Sequence, residues 1–339
     1  MKVLICGEGV FFAIAPQLKK ALERLGCAAD IFDWTEQLYT ARGHTLKNRI
    51  LNRLLRPAVS ARINREFLRA VKKDRYDLVI VNNGWHLTAP TIDEVKKNAG
   101  HVVLWSTDEL YNKVFSSFIH PDSYPRYDCV FSQRRHLFDS YRARGLEKLE
   151  YLPLFYYPEH HPVTTSDEEK KTWGSDIAFM GTWSKEREKM IDALSGLNVR
   201  IWGGYWHKSS REFRGKFTIT SKIAWLEDMS RVVNSTKIII DALTKEQHDQ
   251  INMKNLQVPA CGGFLITSKT DKIIEMFAED KEVVCYETYG ELRRKCEYYL
   301  LHEDERRAIA SRAHEKVTGG PNSILDVAKT ILAVAGALR

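Results

Sequence analysis

Three stretches place polar residues where a strand runs into a helix, the point at which backbone N–H groups gather. The first is FMGTWSKEREKMIDAL (179–194). A strand ends at Gly181, and Thr182 or Ser184 caps the helix that follows. Exposed N–H groups and the helix dipole favour a phosphate at such a point. Lys185 and Arg187 sit in the first turn, where cations oppose the dipole unless an anion lies between them. Arg187 is the stronger candidate, because a guanidinium grips phosphate oxygens two at a time. The alternative is a solvated basic face.

The second stretch is TKIIIDALTKEQHDQINMKNLQVPACGGFLIT (236–267). A strand ends near Asp241, a polar loop follows, and a helix is predicted to begin near Asp249 or Gln250. Its first turn would again point N–H groups at an anion, and Lys254 adds charge. Asn252, Asn255 and Gln257 line one side of the helix, and Gln257 is placed to reach a ribose hydroxyl. Gly262 and Gly263 let the backbone approach a ligand or turn sharply into the next strand. An ordinary helix–turn–strand is the alternative. Two anion-ready helix starts in one domain suit a nucleoside diphosphate.

The third is GEGVFF (7–12), directly after the first strand. It half-matches the dinucleotide fingerprint G-x-G-x-x-G, with Asp30 or Asp33 some way downstream. Phe12 stands where the third glycine belongs and would impede close packing of helix on strand. The adopted reading is a tight loop lining a crevice. Binding of a nicotinamide cofactor is the alternative.

The elements that must position these residues are short apolar strands alternating with amphipathic helices, a pattern for parallel sheets covered on both faces. In the first half the predicted strands are 2–6, 29–33, 77–82, 101–106, 128–132 and 149–154. A helix over 14–26 ends at Gly26 as a C-cap. Residues 155–175, FYYPEHHPVTTSDEEKKTWGS, break the rhythm as an interdomain linker would. The alternation resumes with strands at 176–181, 199–204, 236–241, 263–268 and 282–287, and a last helix follows over roughly 323–338. This predicts two doubly wound domains: 1–160, a linker at 161–175, 176–320, and a C-terminal helix in 321–339.

The 339 residues exceed one core, and 44% hydrophobic with 28% charged residues is ordinary for a globular protein. Six cysteines show no C-x-x-C pair and no zinc spacing, which reads as a reducing cytoplasm. The opening MKVLICGEGVFF lacks a small-residue cleavage site and is too short in apolar residues to span a bilayer. A net charge of +7 favours anionic partners. The basic stretch 44–73 sets Ile50, Leu51, Leu54 and Leu55 at helical spacing among Arg49, Arg53 and Arg56. Such a helix could lie on anionic lipid, suiting a lipid-linked acceptor, or pack into a core with a solvated basic face. No zinc finger, RNP motif or helix-turn-helix signature is present, so nucleic acid is not an expected partner.

The run N-x-K-x-x-Q-V-P-A-C-G-G-F-L-I-T resembles the C-terminal domain of CgeB-like (spore maturation protein) glycosyltransferases of the GT-B group. So do G-T-W-S-K-E-R upstream and VVCYETYGELRRKCEYYLLHEDERRAIASRAHEKV (283–317) downstream. Strands YDLVIVNNG, VVLWSTDE and YDCVFSQ resemble that family's N-terminal half more loosely. The resemblance implies an α/β GT-B fold: two Rossmann-like domains whose parallel sheets face each other across a cleft that holds a nucleotide-sugar. It implies that Gly181 and Arg187 hold the diphosphate, and that His248, Asp249, Asn252 and Lys254 surround it. It also implies that Gln257 stands where a Glu usually binds the ribose, without that Glu's charge assistance.

Glycosyl transfer passes through an oxocarbenium-like state while a nucleoside diphosphate leaves with growing negative charge. Some transferases neutralise that charge with a metal held by D-x-D. None is present, so helix N-termini with Arg187 and Lys254 are expected to act without metal or cofactor. Asp108, after strand 101–106, and His86 in NNGWHL are the candidate general bases if configuration inverts. Relatives with this C-terminal signature often retain configuration and need no such base. The reading is therefore a cytoplasmic glycosyltransferase, with peripheral membrane association through 44–73 left open, using a nucleotide-sugar donor, a UDP-sugar by preference, and an unidentified glycan, lipid-linked or protein acceptor. The alternatives are a nicotinamide-dependent enzyme and a non-catalytic nucleotide-sugar or glycan-binding protein.

Overall fold

A computed structural model of the chain describes residues 1–10, 13–37, 50, 54–111, 120–243 and 251–338. The chain divides into two compact units, Met1–Pro153 with Ile324–Arg339, and Leu154–Ser323. Each is built on a six-stranded parallel sheet.

The first unit contains β1 (Lys2–Gly7), β2 (Ala28–Asp33), β3 (Tyr76–Asn82), β4 (Ala99–Ser106), β5 (Cys129–Ser132) and β6 (Leu149–Tyr151). Their order is β2-β1-β3-β4-β5-β6, every pair parallel. Val3, Ile5 and Leu78 to Val81 are fully or almost fully buried, as strands covered on both faces require. Helix Ile14–Arg24 turns Ala15, Leu18, Ala21 and Leu22 inward. It stops at Gly26, whose φ of +79° lets Cys27 N reach Leu22 O and Gly26 N reach Glu23 O, both at 3.0 Å. That is the C-terminal glycine cap the sequence predicts.

Helix Arg56–Lys73 decides between lipid and core for the part of the basic stretch it contains. Val59, Ile63, Phe67 and Val71 are buried in the first unit's core. Arg69 and Lys72 pair at the surface with Glu66 and Glu94. Its apolar stripe is consumed by packing and is not offered to a membrane. Residues 44–49 and 51–53 lie outside the described residues.

The second unit contains β7 (Ser175–Met180), β8 (Val199–Trp202), β9 (Thr218–Thr220), β10 (Thr236–Ile240), β11 (Leu265–Ser268) and β12 (Val284–Tyr286). Their order is β12-β11-β10-β7-β8-β9. β9, the short edge strand TIT, has no apolar run and went unpredicted. The strand numbering diverges between β10 and β7, which is where an open α/β sheet leaves a crevice beyond its carboxyl ends. Core side chains confirm two covered faces. Met190 and Ile191 of helix Lys185–Asp192 join one cluster, while Val258 of helix Lys254–Ala260 joins another.

The segment expected as a linker, 161–175, belongs to this second unit. Ser166 and Glu169 form a reciprocal cap on helix Asp167–Trp173, and Trp173 stacks on Trp202 at 5.2 Å. The final helix, Ile324–Ala337, belongs to the first unit, where it contacts Ile14–Arg24.

Candidate functional site

Glycines set the shape of the loops beyond β7 and β8. A Cβ on Gly181 would fall 3.0 Å from the Phe179 ring, and the Gly181 carbonyl accepts from Trp206 Nε1 at 2.9 Å. Gly203 holds φ at +150°, and a Cβ there would fall 2.1 Å from Gly181 O. Trp183 N donates to Gly204 O at 3.0 Å. The two loops therefore lie against each other, which fixes Ser184. Its hydroxyl accepts from Arg187 N at 3.3 Å and caps helix Lys185–Asp192.

Arg187 folds back over this loop. Its Nη1 donates to Thr182 O at 2.9 Å and to Thr182 Oγ1 at 3.2 Å. Its Nε is buried without a hydrogen-bond partner, and among the described residues Arg187 joins no ion pair. Lys185 departs from expectation. It lines a separate concavity of about 420 Å³ with Trp183, Lys189 and Lys208, so the first turn does not bring the two cations together.

The predicted anion site on the second helix is corrected more substantially. The helix begins at Lys254, not near Asp249 or Gln250, and its first N–H groups are already used. Lys254 N donates to Asn252 Oδ1 at 2.8 Å, Asn255 N to Asn252 O at 3.1 Å, and Leu256 N to Met253 O at 3.0 Å. Asn252 N donates in return to Asn255 Oδ1 at 2.8 Å. The amides thus knit the turn together, and Asn255 Nδ2 ties it to Thr267 Oγ1 at 3.1 Å.

Lys254 is committed too. Its Nζ lies 3.0 Å from Oδ1 of Asp241, whose side chain is fully buried, off the line of a good hydrogen bond but as a close ion pair. Asn252 Nδ2 donates to the other oxygen, Oδ2. Gln257 is only 4% exposed, on a helix whose residues from Asn255 to Ala260 are all buried. Gly262 lies past the far end of the helix in a left-handed turn (φ +75°) against Pro162, and a Cβ on Gly263 would fall 2.2 Å from Val233. Turning and packing, rather than a ligand, account for both glycines. His248 and Asp249 lie outside the described residues.

A cavity of about 620 Å³ opens beyond the carboxyl ends of β7, β10, β11 and β12. Its wall includes the N-caps of three helices: Ser184, Thr270 before Asp271–Met276, and Thr288 before Tyr289–Leu301. Thr270 Oγ1 accepts from Ile273 N, and Thr288 Oγ1 from Glu291 N, both at 3.2 Å. Tyr286 also lines it, accepting from Ser268 Oγ at 3.1 Å and donating to Asp241 O at 3.0 Å. The Asp241–Lys254–Asn252 network therefore holds the strand end that leads into Ala242 and Leu243 of the wall.

Lys269 is one of the cavity's two cations, but its Nζ sits 2.8 Å from Glu279 and 3.7 Å from Glu287, whose pull raises its pKa. Among the described residues Arg187 is the lining cation without a carboxylate partner. Among the described residues predicted to hold the donor, Arg187 alone lines the cavity, beside the predicted cap Ser184. Thr270, Thr288, Tyr286 and Tyr289 were missed. The capping pattern T-x-x-E in ETYGEL (287–292) and the Thr-Asp pair in SKTDK (268–272) were the available signals for two of them.

In the first unit, His86 is 3% exposed and held at φ +68°. Its Nδ1 lies 2.9 Å from Ser60 Oγ, and its carbonyl accepts from Asn64 Nδ2 at 2.7 Å. Burial, with smaller help from His120 and Arg56, lowers its pKa to about 4. It is a core histidine joining helix Arg56–Lys73 to the loop after β3, and its burial argues against a role as base. Asp108, just past β4, remains partly exposed, and burial raises its carboxyl above the usual range against the opposing pull of Arg134.

The G-x-G loop has local reasons for its glycines. A Cβ on Gly7 would fall 2.8 Å from Ala15, and one on Gly9 would fall 2.5 Å from Asp33 Oδ2. Asp33 Oδ1 itself accepts from Thr35 N at 2.9 Å and Thr35 Oγ1 at 2.6 Å. Phe12 lies outside the described residues. Among the described residues no cluster of three His, Cys, Asp or Glu side chains is placed to hold a metal ion.

Residues 185–332 match the glycosyl transferase-like family. The fold is shared with a glycosyltransferase from Rickettsia africae ESF-5, at a TM-score of 0.65 and 14% identity over 99% of this chain and 98% of that one. It is shared with Anabaena HepE in complex with UDP-glucose, at 0.66 and 12% over 99% and 100%. It is shared as well with sucrose-phosphate synthase from Thermosynechococcus elongatus, at 0.67 and 11% over 100% and 99%. The chain has the two-domain GT-B fold of these glycosyltransferases. No curated protein matches its sequence. The family match covers Arg187 and all of the cavity wall except Ser184. Identities this low carry the fold alone, so the roles of individual residues rest on geometry.

Proposed function

We propose that the second unit binds a nucleoside diphosphate-sugar in the 620 Å³ cavity, with Arg187 on the diphosphate. The observation that carries this is an unpaired guanidinium beside the N-caps of helices Lys185–Asp192 and Tyr289–Leu301, at the switch point of a doubly wound sheet. The volume suits a ligand of this size. HepE, a structure of the same fold, is described with UDP-glucose, which supports a UDP-sugar as donor.

As the glycosidic bond breaks, charge grows on the departing phosphate oxygen. Arg187 and the helix dipoles are in place before the reaction, so they stabilise that charge without reorganising. We propose that this suffices without a metal. If configuration inverts, Asp108 is the side chain of the first unit that would take the acceptor's proton. Burial raises its pKa, which makes the carboxylate a stronger base than an exposed one. Retention would require no such base. The motifs around Asn252 to Thr267 support placing the enzyme with the CgeB-like branch, and the six free cysteines support the cytoplasm. No helix among the described residues is long and apolar enough to cross a membrane, and residues 44–55 are the place to look for peripheral membrane contact.

The test is a thermal-shift panel of UDP, GDP, dTDP, CMP and NAD(H), run with and without EDTA. A shift with one nucleoside diphosphate that survives EDTA is expected. A shift with NAD(H) alone, or one abolished by EDTA, contradicts the proposal.

A further inference from the structure

We infer that Tyr289 is the platform on which the donor's nucleobase stacks, a reading that rests on the donor site proposed above. Tyr289 is the first residue of helix Tyr289–Leu301, immediately after the cap Thr288, and it lines the same cavity as Arg187. It is 39% exposed, and so is Ile274, the other large apolar side chain exposed on that wall. Leu243 adds a third apolar group. About two-fifths of the surface of Tyr289 stays open, and that open part lines the cavity, where a bound ligand would cover it.

The cavity is divided in character. Ser184 and Arg187 give the wall hydrogen-bond donors and a positive charge set among the carboxylates Glu186, Asp271 and Glu287, while Tyr289, Ile274 and Leu243 give it apolar groups. A nucleoside diphosphate is divided in the same way, with charged phosphates at one end and a flat aromatic base at the other. Both kinds of group line the one cavity of about 620 Å³. Glu186, next to Arg187, is near enough to Tyr289 to raise its phenol, although burial is the larger cause. A tyrosine ring offers a rigid face for stacking at small entropic cost, and every base has a face to offer in return.

Titration calorimetry of the full chain and of Tyr289→Ala and Tyr289→Phe tests the inference, with UDP, GDP, dTDP, ADP, UDP-glucose and inorganic pyrophosphate as probes. Tyr289→Ala should weaken the tightest nucleoside diphosphate by about 5- to 150-fold, the range of base stacking on an aromatic side chain. Its pyrophosphate affinity should stay within about twofold, because the phosphate contacts lie elsewhere and the variant remains folded. Tyr289→Phe should keep the nucleotide affinity. Unchanged nucleotide affinity in Tyr289→Ala overturns the inference and leaves the donor site standing. An equal loss for pyrophosphate also overturns it, as does a loss confined to UDP-glucose, which would put the ring against the sugar. If the unmodified chain binds no nucleoside diphosphate, the donor reading itself fails.

Discussion

Replacing Lys254 should cost folding stability rather than ligand affinity. Its Nζ stands 3.0 Å from Oδ1 of Asp241, a carboxylate with no exposed surface. At that distance the Coulomb attraction is about 5.5 kcal/mol for an effective dielectric constant of about 20. Much of it offsets the desolvation of the two groups, so the pair's net worth is smaller. Removing one partner is different, because it strands a buried charge, and such losses run at roughly 3–5 kcal/mol. Asn252 still donates to Asp241 after the change, which argues for the low end, about 3 kcal/mol. Lys254→Met is the variant of choice, since it keeps the apolar stem. Urea unfolding followed by circular dichroism gives the cost. The decisive control is Asp241→Asn combined with Lys254→Met, which should recover most of the loss because no buried charge remains. Coupling between the two sites of about 2 kcal/mol or more is expected for groups in contact. A cost below about 1 kcal/mol, or strictly additive singles, would refute the buried pair. So would a variant of unchanged stability that no longer binds nucleoside diphosphate, for that would return Lys254 to the ligand.

Asp108→Asn should raise stability at neutral pH, because burial raises the carboxyl's pKa and so disfavours the charged form. The gain should vanish as the pH falls below the ordinary carboxylate range. In an inverting enzyme the same variant should lose most of its turnover, whereas full activity would remove Asp108 from the chemistry. The buried histidines should govern the acid limb. His86 is held near 4 and His160 near 3, mainly by burial, against an ordinary value of 6.5. Both fold neutral, so their contribution is present above pH 6.5 and drains away as pH falls towards those values. His160→Phe should therefore lose less stability between pH 7 and 4.5 than the unmodified chain, by up to about 2–3 kcal/mol, read from urea midpoints. Parallel acid limbs would contradict the assignment.

The sheets were legible because buried parallel strands write themselves as continuous apolar runs, such as VLIC, LVIV and KIII. TIT at β9 carries no such run and was invisible. Arg187 was legible from its place after a strand and a serine cap. Lys254 was not, since its partner Asp241 precedes it by a loop, and only the fold shows that carboxylate to be buried. A helix start in sequence advertises free N–H groups. Whether Asn252 and Asn255 consume them is a matter of rotamers that spacing does not encode. The amphipathic pattern of Arg56–Lys73 fits a lipid face and a core face equally well, and only packing settles it. Gly262 and Gly263 were read as a ligand approach or a sharp turn, and the neighbours that account for them are Pro162 for Gly262 and Val233 for Gly263.

Calorimetric titration of UDP into the chain and into Arg187→Ala, in EDTA, tests the donor site most directly. Arg187 hydrogen-bonds chiefly to Thr182 of its own loop, so its removal should cost little stability and leave the melting temperature within a few degrees. A charge-assisted contact to phosphate contributes about 1.5–3 kcal/mol, so UDP affinity should fall by roughly 10- to 150-fold. Unchanged affinity, or a loss of affinity matched by a collapse in melting temperature, would mean that Arg187 shapes the loop and does not hold the donor.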